Sequence, residues 1–143
     1  MFVGEFDYRV DEKGRVPIPP PFRHDMADGI YLTDGADGCI AIYTQSRFQE
    51  IAESLTTRGL PKKDIRNVSR TVFSNASHLK PDSQGRVMLP HSLRQRAGIQ
   101  ETAVIVGVNE YAEIWNPNKW QTTEAQQDQV WQIIETLQEN DES

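Results

Sequence analysis

Two stretches of the 143-residue chain decide the fold: DEKGRVPIPPPFR, residues 11–23, and DSQGRVMLPHSLR, residues 82–94. They align without a gap at a constant offset of 71 residues, and the Asp, Gly, Arg, Val, Pro and final Arg positions are identical. Two further aligned pairs keep an apolar side chain: Ile18 with Leu89, and Phe22 with Leu93. So ordered a match indicates an internal duplication.

Each copy is predicted to begin with a β-hairpin. In the first copy, residues 6–10 alternate apolar and polar side chains, residues 11–14 supply turn chemistry, and residues 15–18 alternate again. Gly14, and Gly85 in the second copy, are free to take the positive φ that such a turn requires. The prolines after the second strand end it and start a short helix.

Each copy is predicted to continue with two strands and a helix. The remaining predicted strands cover residues 30–33, 39–43, 103–108 and 112–115, and the predicted helices cover 45–55, 61–76, 91–97 and a last segment capped by Asn116. A unit of about 45 residues with short strands buries its own sheet poorly. We therefore expect a pseudo-two-fold α+β domain in which both units share one core.

The composition is that of an ordinary globular chain, with 37% hydrophobic and 25% charged residues. The apolar runs are far shorter than a membrane span, and the N-terminal residues lack the features of a signal peptide, so we expect no membrane association and no export. The single cysteine, Cys39, excludes an internal disulfide and fits a reducing cytoplasm. It lies in an apolar strand and is expected in the core.

The net charge of −6 by itself argues against nucleic-acid binding, but the charge is unevenly distributed. The net charge is zero over residues 1–23, −5 over 24–57, +7 over 58–96 and −8 over 97–143. Arg15 and Arg86 occupy equivalent turns of the two copies. This pattern favours a composite anion-binding surface, the alternative being a basic helix face that is simply solvated.

The repeated pattern Asp-x-x-Gly-Arg has three physical interpretations. In the first, Asp and Arg pair across the turn only to fix it. In the second, Asp11 and Asp82 orient Arg15 and Arg86 toward phosphate or the edge of guanine in a DNA groove. In the third, the two aspartates form a catalytic carboxylate dyad, but the arginine four residues after each would keep both ionised. We favour the first two interpretations, which are compatible.

Other catalytic or metal-binding patterns are not found in the sequence. The histidines and Cys39 have no metal-ligand spacing, and there is no glycine-rich phosphate loop or nucleophile elbow. We expect no metal, no cofactor, no small-molecule substrate and no enzyme activity. RNA binding is disfavoured because no aromatic platform accompanies the basic residues.

With its paired motifs, the sequence resembles the bacterial MraZ family, whose chains carry two AbrB-like swapped-hairpin units. The resemblance runs from Met1 to about Trp120 and is most specific over residues 11–23, 82–98 and 113–120. It implies a nucleoid-associated transcriptional regulator of the cell-division and cell-wall gene cluster that assembles into a ring. The implied organisation is a first AbrB-like repeat at 1–50, a helical connector at 51–76, a second repeat at 77–120, and a C-terminal helix with an acidic tail at 121–143.

The functional hypothesis is a ring that binds promoter DNA carrying tandem repeats through several weak sites at once. Arg15 and Arg86 are the expected base or phosphate contacts, and Asp11 and Asp82 orient them. Secondary and structural candidates are Lys13 and Gln84 in the turns, Arg9 as a weaker contact, and the turn glycines Gly14 and Gly85.

The alternative hypothesis is a structural ring or scaffold that binds a protein through its C-terminal helix, the motif arginines serving only the turns. In its favour, an apolar set lies in a segment otherwise rich in Gln and Glu: Trp120, Val130, Trp131, Ile134 and Leu137. We expect this set to pack against the body of its own chain, the main alternative being an oligomer contact.

Overall fold

A six-stranded sheet and a two-stranded ribbon, both antiparallel, are surrounded by helices in the computed structural model, which describes residues 1–57, 59–124 and 126–142. The strands are β1 (Glu5–Arg9), β2 (Arg15–Pro17), β3 (Ile30–Asp34), β4 (Ile40–Thr44), β5 (Ser77–Leu79), β6 (Arg86–Met88), β7 (Thr102–Gly107) and β8 (Ala112–Trp115). The α-helices are α1 (Arg23–Met26), α2 (Gln45–Thr57), α3 (Lys62–Ser74), α4 (His91–Ala97), α5 (Pro117–Glu124) and α6 (Gln127–Glu142). Short 3₁₀ turns cover Pro20–Phe22 and Ala36–Gly38. The α+β class expected from the sequence is confirmed.

The large sheet combines strands of the two repeats in the order β1-β7-β8-β4-β3-β5. Strands β1, β3 and β4 belong to the first repeat, and β5, β7 and β8 are their counterparts in the second. The order is therefore the same when it is read from either edge. A pseudo-two-fold axis passes between β8 and β4, and the first strand of each repeat completes the sheet of the other.

The prediction that each motif forms a hairpin with its own flanking strands is wrong in the strand pairing. β1 pairs with β7, and β2 pairs with β6, Val16 lying opposite Val87. The turn over residues 11–14 is present, but the strands on its two sides go to different partners. Alternation of apolar and polar residues specifies which face of a strand is buried, and it does not specify the neighbouring strand.

One hydrophobic core is shared by both repeats, as expected. The ribbon residues Val16 and Val87 are buried against it, and Phe22 after β2 is 1% exposed. The ring of Phe22 meets those of Phe2 and Phe6 edge-on, at centroid distances of 5.0 and 5.4 Å. Packing of residues from both repeats into one cluster means that neither repeat completes its core alone.

The other face of the sheet is covered by helices that follow β4 and β8. From α2, Phe48 stacks on Tyr31 at 4.2 Å, and from α5, Trp120 packs near Trp115 at 5.6 Å. Cys39 is buried in the cluster beside Trp115, which confirms the core position expected for it. Burial, and then the nearby carboxylate of Glu113, raise the pKa of the thiol.

The helix ends lie where capping residues in the sequence predict them. The Asn116 side-chain oxygen accepts hydrogen bonds from the backbone N–H groups of Asn118 and Lys119, at 2.8 and 3.3 Å, and caps α5 as predicted. Gly98 ends α4 with φ of 68°. The predicted connector helix over 61–76 is α3, whose half-buried residues lie toward α2. Within the described residues, no helix is long and apolar enough to cross a bilayer.

The C-terminal segment differs from the expectation of one helix packed on its own chain. Trp120 lies in α5 and is partly buried, whereas the other predicted apolar residues lie in α6. There, Val130 is 50% exposed and both Trp131 and Leu137 are 59% exposed. Periodicity correctly predicted an amphipathic helix, but this helix does not bury its apolar face against the chain.

Replacement of Phe22 by Ala is expected to lower the free energy of unfolding by about 3–5 kcal/mol, because it opens a cavity where both repeats meet. Leu60→Ala is the control, since Leu60 is 42% exposed and lies outside the core. Urea unfolding followed by circular dichroism measures both losses. Equal losses for the two variants would contradict the assignment of Phe22 to the shared core.

Candidate nucleic-acid interface

The two motif turns have the same backbone geometry. In the first, the N–H of Asp11 donates to the carbonyl of Arg15 and the N–H of Gly14 donates to that of Asp11, both at 3.0 Å. In the second, the corresponding bonds at Asp82 and Gly85 are both 2.9 Å. Both glycines take positive φ, 80° and 75°. The sequence repeat is thus a repeat in three dimensions.

Each motif aspartate holds its arginine with both carboxylate oxygens. Asp11 Oδ1 accepts the backbone N–H groups of Lys13 and Arg15, at 3.0 and 2.8 Å, and Oδ2 accepts Arg15 Nε at 2.7 Å. Asp82 repeats the arrangement with Gln84 and Arg86, at 2.9 Å to each backbone N–H and 3.0 Å to Arg86 Nε. Because the aspartate uses Nε, the terminal Nη groups of each guanidinium remain for other partners.

The two motifs meet on the ribbon formed by β2 and β6. Arg86 Nη1 lies 3.9 Å from Asp11 Oδ2, so the arginine of the second repeat approaches the aspartate of the first. Each repeat also completes the other's ladder: the N–H of Ile18 donates to Gly85 O at 2.8 Å, and that of Leu89 to Gly14 O at 2.9 Å. Arg15 and Arg86, which occupy equivalent turns of the two copies, therefore lie on one ribbon, each paired with its own aspartate.

Hydrogen bonds to the carboxylates set their charge. The backbone N–H of Arg15 is the largest cause that lowers the pKa of Asp11, and that of Arg86 is the largest for Asp82. Both side chains are consequently anions at neutral pH. A catalytic dyad needs one of the two carboxyl groups to hold a proton, so the geometry is contrary to the catalytic interpretation.

The final arginine of each motif packs over the turn glycine of the other repeat. A Cβ added to Gly14 would lie 3.2 Å from Arg94 Nη1, and one added to Gly85 would lie 2.8 Å from Arg23 Nε. The positive φ favours glycine in both turns, and the arginine of the other repeat lies close above each of them. The sequence alignment shows that Arg23 and Arg94 are equivalent, but it gives no sign of this contact.

The remaining predicted site residues are placed less centrally. The side chains of Lys13 and Gln84 are exposed in the two turns, beside the motif arginines in sequence. Arg9 is exposed at the end of β1, opposite Thr102 of β7, and it lies outside the ribbon. The ribbon therefore contains Arg15 and Arg86, with Lys13 and Gln84 at its ends.

One apolar side chain of the ribbon was missed by sequence reasoning. Met88 lies opposite Arg15 in the register, is 53% exposed, and shares the outward face with Arg15, Arg86 and Pro17, while Val16 and Val87 point inward. Pro17 is its equivalent in the first repeat, at the same offset of 71. Alternation along β6 could have placed Met88 outside, but only the β2–β6 pairing brings it beside the motif arginines.

The fold and the ribbon define a class of protein: two interlocked copies of one β unit, with a paired arginine from each copy on the ribbon that joins them. A family model described as "MraZ protein, putative antitoxin-like" matches the chain twice, at residues 1–71 and 72–140. The chain belongs to the MraZ family, as the paired motifs suggested, and the double match confirms the duplication.

Similar proteins align over most of the chain. A transcriptional regulator MraZ of Dehalococcoides mccartyi is 41% identical over 98% of this chain and over its own full length. Its counterpart in Herpetosiphon aurantiacus is 41% identical over 85% of both chains, and that in Thermobifida fusca is 37% identical over 92% of both.

Carbon-detected NMR titration is expected to give midpoints for Asp11 and Asp82 below the usual aspartate value. Folding lowers the pKa of both carboxyl groups, so the stabilisation that these groups contribute is fully present above their ordinary pKa. It is lost as the pH falls through their lower pKa in the folded state. Thermal stability should thus decline below about pH 4. The urea-unfolded chain is the control, and identical midpoints in the folded and unfolded states would contradict the hydrogen-bonded turns.

Proposed function

We propose that this protein is a sequence-specific DNA-binding transcriptional regulator that contacts duplex DNA with the β2–β6 ribbon. The observation that carries the proposal is the convergence of Arg15 and Arg86 on that ribbon, each held by an aspartate of its own turn. The names of the relatives, which are transcriptional regulators, support the same function.

The ribbon has the shape and chemistry that direct readout requires. A two-stranded β-ribbon fits the major groove of B-DNA, where a guanidinium bonds the O6 and N7 atoms of guanine or an adjacent phosphate. Asp11 and Asp82 limit the conformations of Arg15 and Arg86 before DNA arrives, which lowers the entropy lost on binding. Lys13 and Gln84 are secondary contacts at the ends of the ribbon, and Arg9 is a more distant one.

The charge distribution matches a protein that binds DNA through one limited surface. The flanks of the basic segment are acidic, with −5 over residues 24–57 and −8 over residues 97–143. These acidic surfaces repel the phosphate backbone and limit indiscriminate binding. A single ribbon with two principal arginines has low affinity by itself.

The finer proposal is that several copies assemble into a ring and bind tandem repeats in the promoter of the cell-division and cell-wall gene cluster. Linked weak sites gain affinity through their high effective concentration, which compensates for the small contact of one ribbon. The resemblance of the motifs to the MraZ family supports this target and this assembly. The protein then works in the cytoplasm, associated with the nucleoid.

A structural ring or scaffold that binds a protein partner is the second candidate function. The exposed apolar face of α6 is the observation that favours it. Under this function, the motif arginines only fix their turns, and assembly is indifferent to DNA. Gel shift with the upstream DNA, together with size-exclusion chromatography, separates the candidates, since only the regulator binds DNA in a salt-sensitive manner.

Arg15→Ala combined with Arg86→Ala is expected to lower the affinity for promoter DNA by at least about 30-fold, because each guanidinium contributes about 1–3 kcal/mol. Fluorescence anisotropy over a salt series measures it. The wild-type log K should fall with log salt at a slope of about −0.9 per neutralised phosphate, so that a few hundred millimolar salt abolishes binding.

Arg96→Ala with Lys119→Ala is the control pair, since it removes two positive charges outside the ribbon. Arg96 pairs with Asp34 at 2.9 Å, and Lys119 Nζ donates to the carbonyl of Ala97 at 3.2 Å. This pair should bind DNA nearly as the wild type does. Wild-type affinity for DNA in the Arg15→Ala/Arg86→Ala variant, with assembly preserved, would contradict the assignment of Arg15 and Arg86 as DNA contacts.

Met88 is expected to contribute specificity through contact with thymine methyl groups, the apolar feature of the major groove. Duplexes made with deoxyuridine instead of thymidine lack those methyls and should bind the wild type about fourfold more weakly, since one buried methyl contributes about 0.8 kcal/mol. Met88→Ala should not discriminate between the two duplexes. Val3→Ala, at a 61% exposed apolar residue outside the ribbon, should discriminate as the wild type does. Equal discrimination by Met88→Ala would contradict this role.

A further inference from the structure

Helix α6 exposes a continuous apolar face. Val130, Trp131, Ile133 and Leu137 are 50%, 59%, 60% and 59% exposed, and Ile134 is half-buried among them. Their spacing of three and four residues places them on one side of the helix. Large aromatic and aliphatic side chains exposed together mark a surface that is covered by another molecule.

The same helix is strongly acidic. Residues 127–142 contain five acidic residues and no basic one: Asp128, Glu135, Glu139, Asp141 and Glu142. Pairing of α6 with α6 of another copy would bring like charges together, which opposes association. Contact with DNA or with an anionic lipid surface is opposed for the same reason. The molecule that covers this face therefore carries positive charge.

Helix α3 of the chain has the complementary chemistry. Its exposed side holds Lys62, Lys63, Arg66 and Arg70, and Asp64 is its only acidic residue. Phe73, which is 37% exposed, lies one helical turn beyond Arg70 on the side of the helix that carries Arg66. The inner side of α3 faces α2, where Phe73 still touches Phe48 edge-on at 5.6 Å. Helix α3 thus offers cations around an exposed aromatic ring.

The two helices are counterparts in the duplication. Helices α2 and α3 follow β4 in the first repeat, and α5 and α6 follow β8 in the second. The first repeat consequently ends in a basic helix and the second in an acidic one. Equivalent helices of opposite charge at the two ends of a duplicated chain suit a contact between the first repeat of one copy and the second repeat of another.

We propose that α6 of one subunit docks on α3 of a second copy of this chain, so that its apolar face is covered and its carboxylates meet the α3 cations. The proposal rests on the oligomer of the proposed function and identifies the surfaces that form it. The contact joins two different surfaces and is therefore heterologous. Such contacts repeat head to tail, and they form a ring when the rotation between neighbouring copies closes.

The first test removes the apolar contact. Trp131→Ala with Leu137→Ala should dissociate the oligomer at the concentration at which the wild type is fully assembled, as measured by sedimentation velocity. Gln132→Ala, on the opposite side of α6, is the matched control and should assemble normally. The circular dichroism spectrum should stay unchanged, because these side chains are outside the shared core.

The second test exchanges the charges. Arg66→Glu with Arg70→Glu on α3, or Glu135→Lys with Asp141→Lys along the apolar face of α6, should each weaken assembly tenfold or more. An equimolar mixture of the two variants should assemble again, since each α6 then meets an α3 of opposite charge. A symmetric α6–α6 contact predicts instead that the α3 variant assembles alone, and that outcome overturns the proposal.

The results separate this inference from the DNA-binding proposal, because every variant keeps Arg15 and Arg86. Normal assembly of the Trp131/Leu137 variant or of both charge variants refutes the α6–α3 contact and leaves the ribbon assignment intact. A wild type that is monomeric at all concentrations refutes both the contact and the ring. Loss of DNA binding in the Arg15/Arg86 variant, with assembly unchanged, is consistent with both.

Discussion

The exchange of backbone hydrogen bonds between the two repeats is the constraint on which the rest of the structure depends. In each motif, the residue directly after the ribbon strand donates its backbone N–H to the carbonyl of the turn glycine in the other motif, from Ile18 to Gly85 and from Leu89 to Gly14. Backbone groups at such buried positions must be paired, and neither repeat can pair them alone. The shared core, the large sheet and the juxtaposed arginines therefore each require residues of both repeats.

Much of this arrangement follows from local sequence. The offset of 71 residues, the positive φ of Gly14 and Gly85 and the cap at Asn116 were predictable because each depends on a few neighbouring residues. The aspartate–arginine pairs were predictable for the same reason. The strand pairing was not predictable, because alternation of apolar and polar residues specifies the buried face of a strand but not which strand lies next to it. The position of Met88 beside Arg15 depends on that pairing and was missed with it.

The C-terminal helix shows a second limit of sequence reasoning. Apolar residues at helical spacing predict a helix face that is buried away from water. The pattern is the same whether that face packs against the core of its own chain or against another copy. In α3 that face lies against α2, whereas in α6 it is exposed at Trp131 and Leu137. The two helices have the same apolar periodicity but differ in charge: α3 is basic, and all the charged residues of α6 are acidic.

Fusion of the two repeats into one chain frees them from exact symmetry. Two identical chains related by a two-fold axis present the same side chains to both halves of a DNA site, and such dimers favour palindromes. Here the equivalent ribbon positions differ, with Pro17 against Met88 and Lys13 against Gln84. The ribbon accordingly has a polarity. Under the proposed function, this polarity lets an asymmetric DNA sequence orient the ribbon, and directly repeated sites would then orient successive subunits alike.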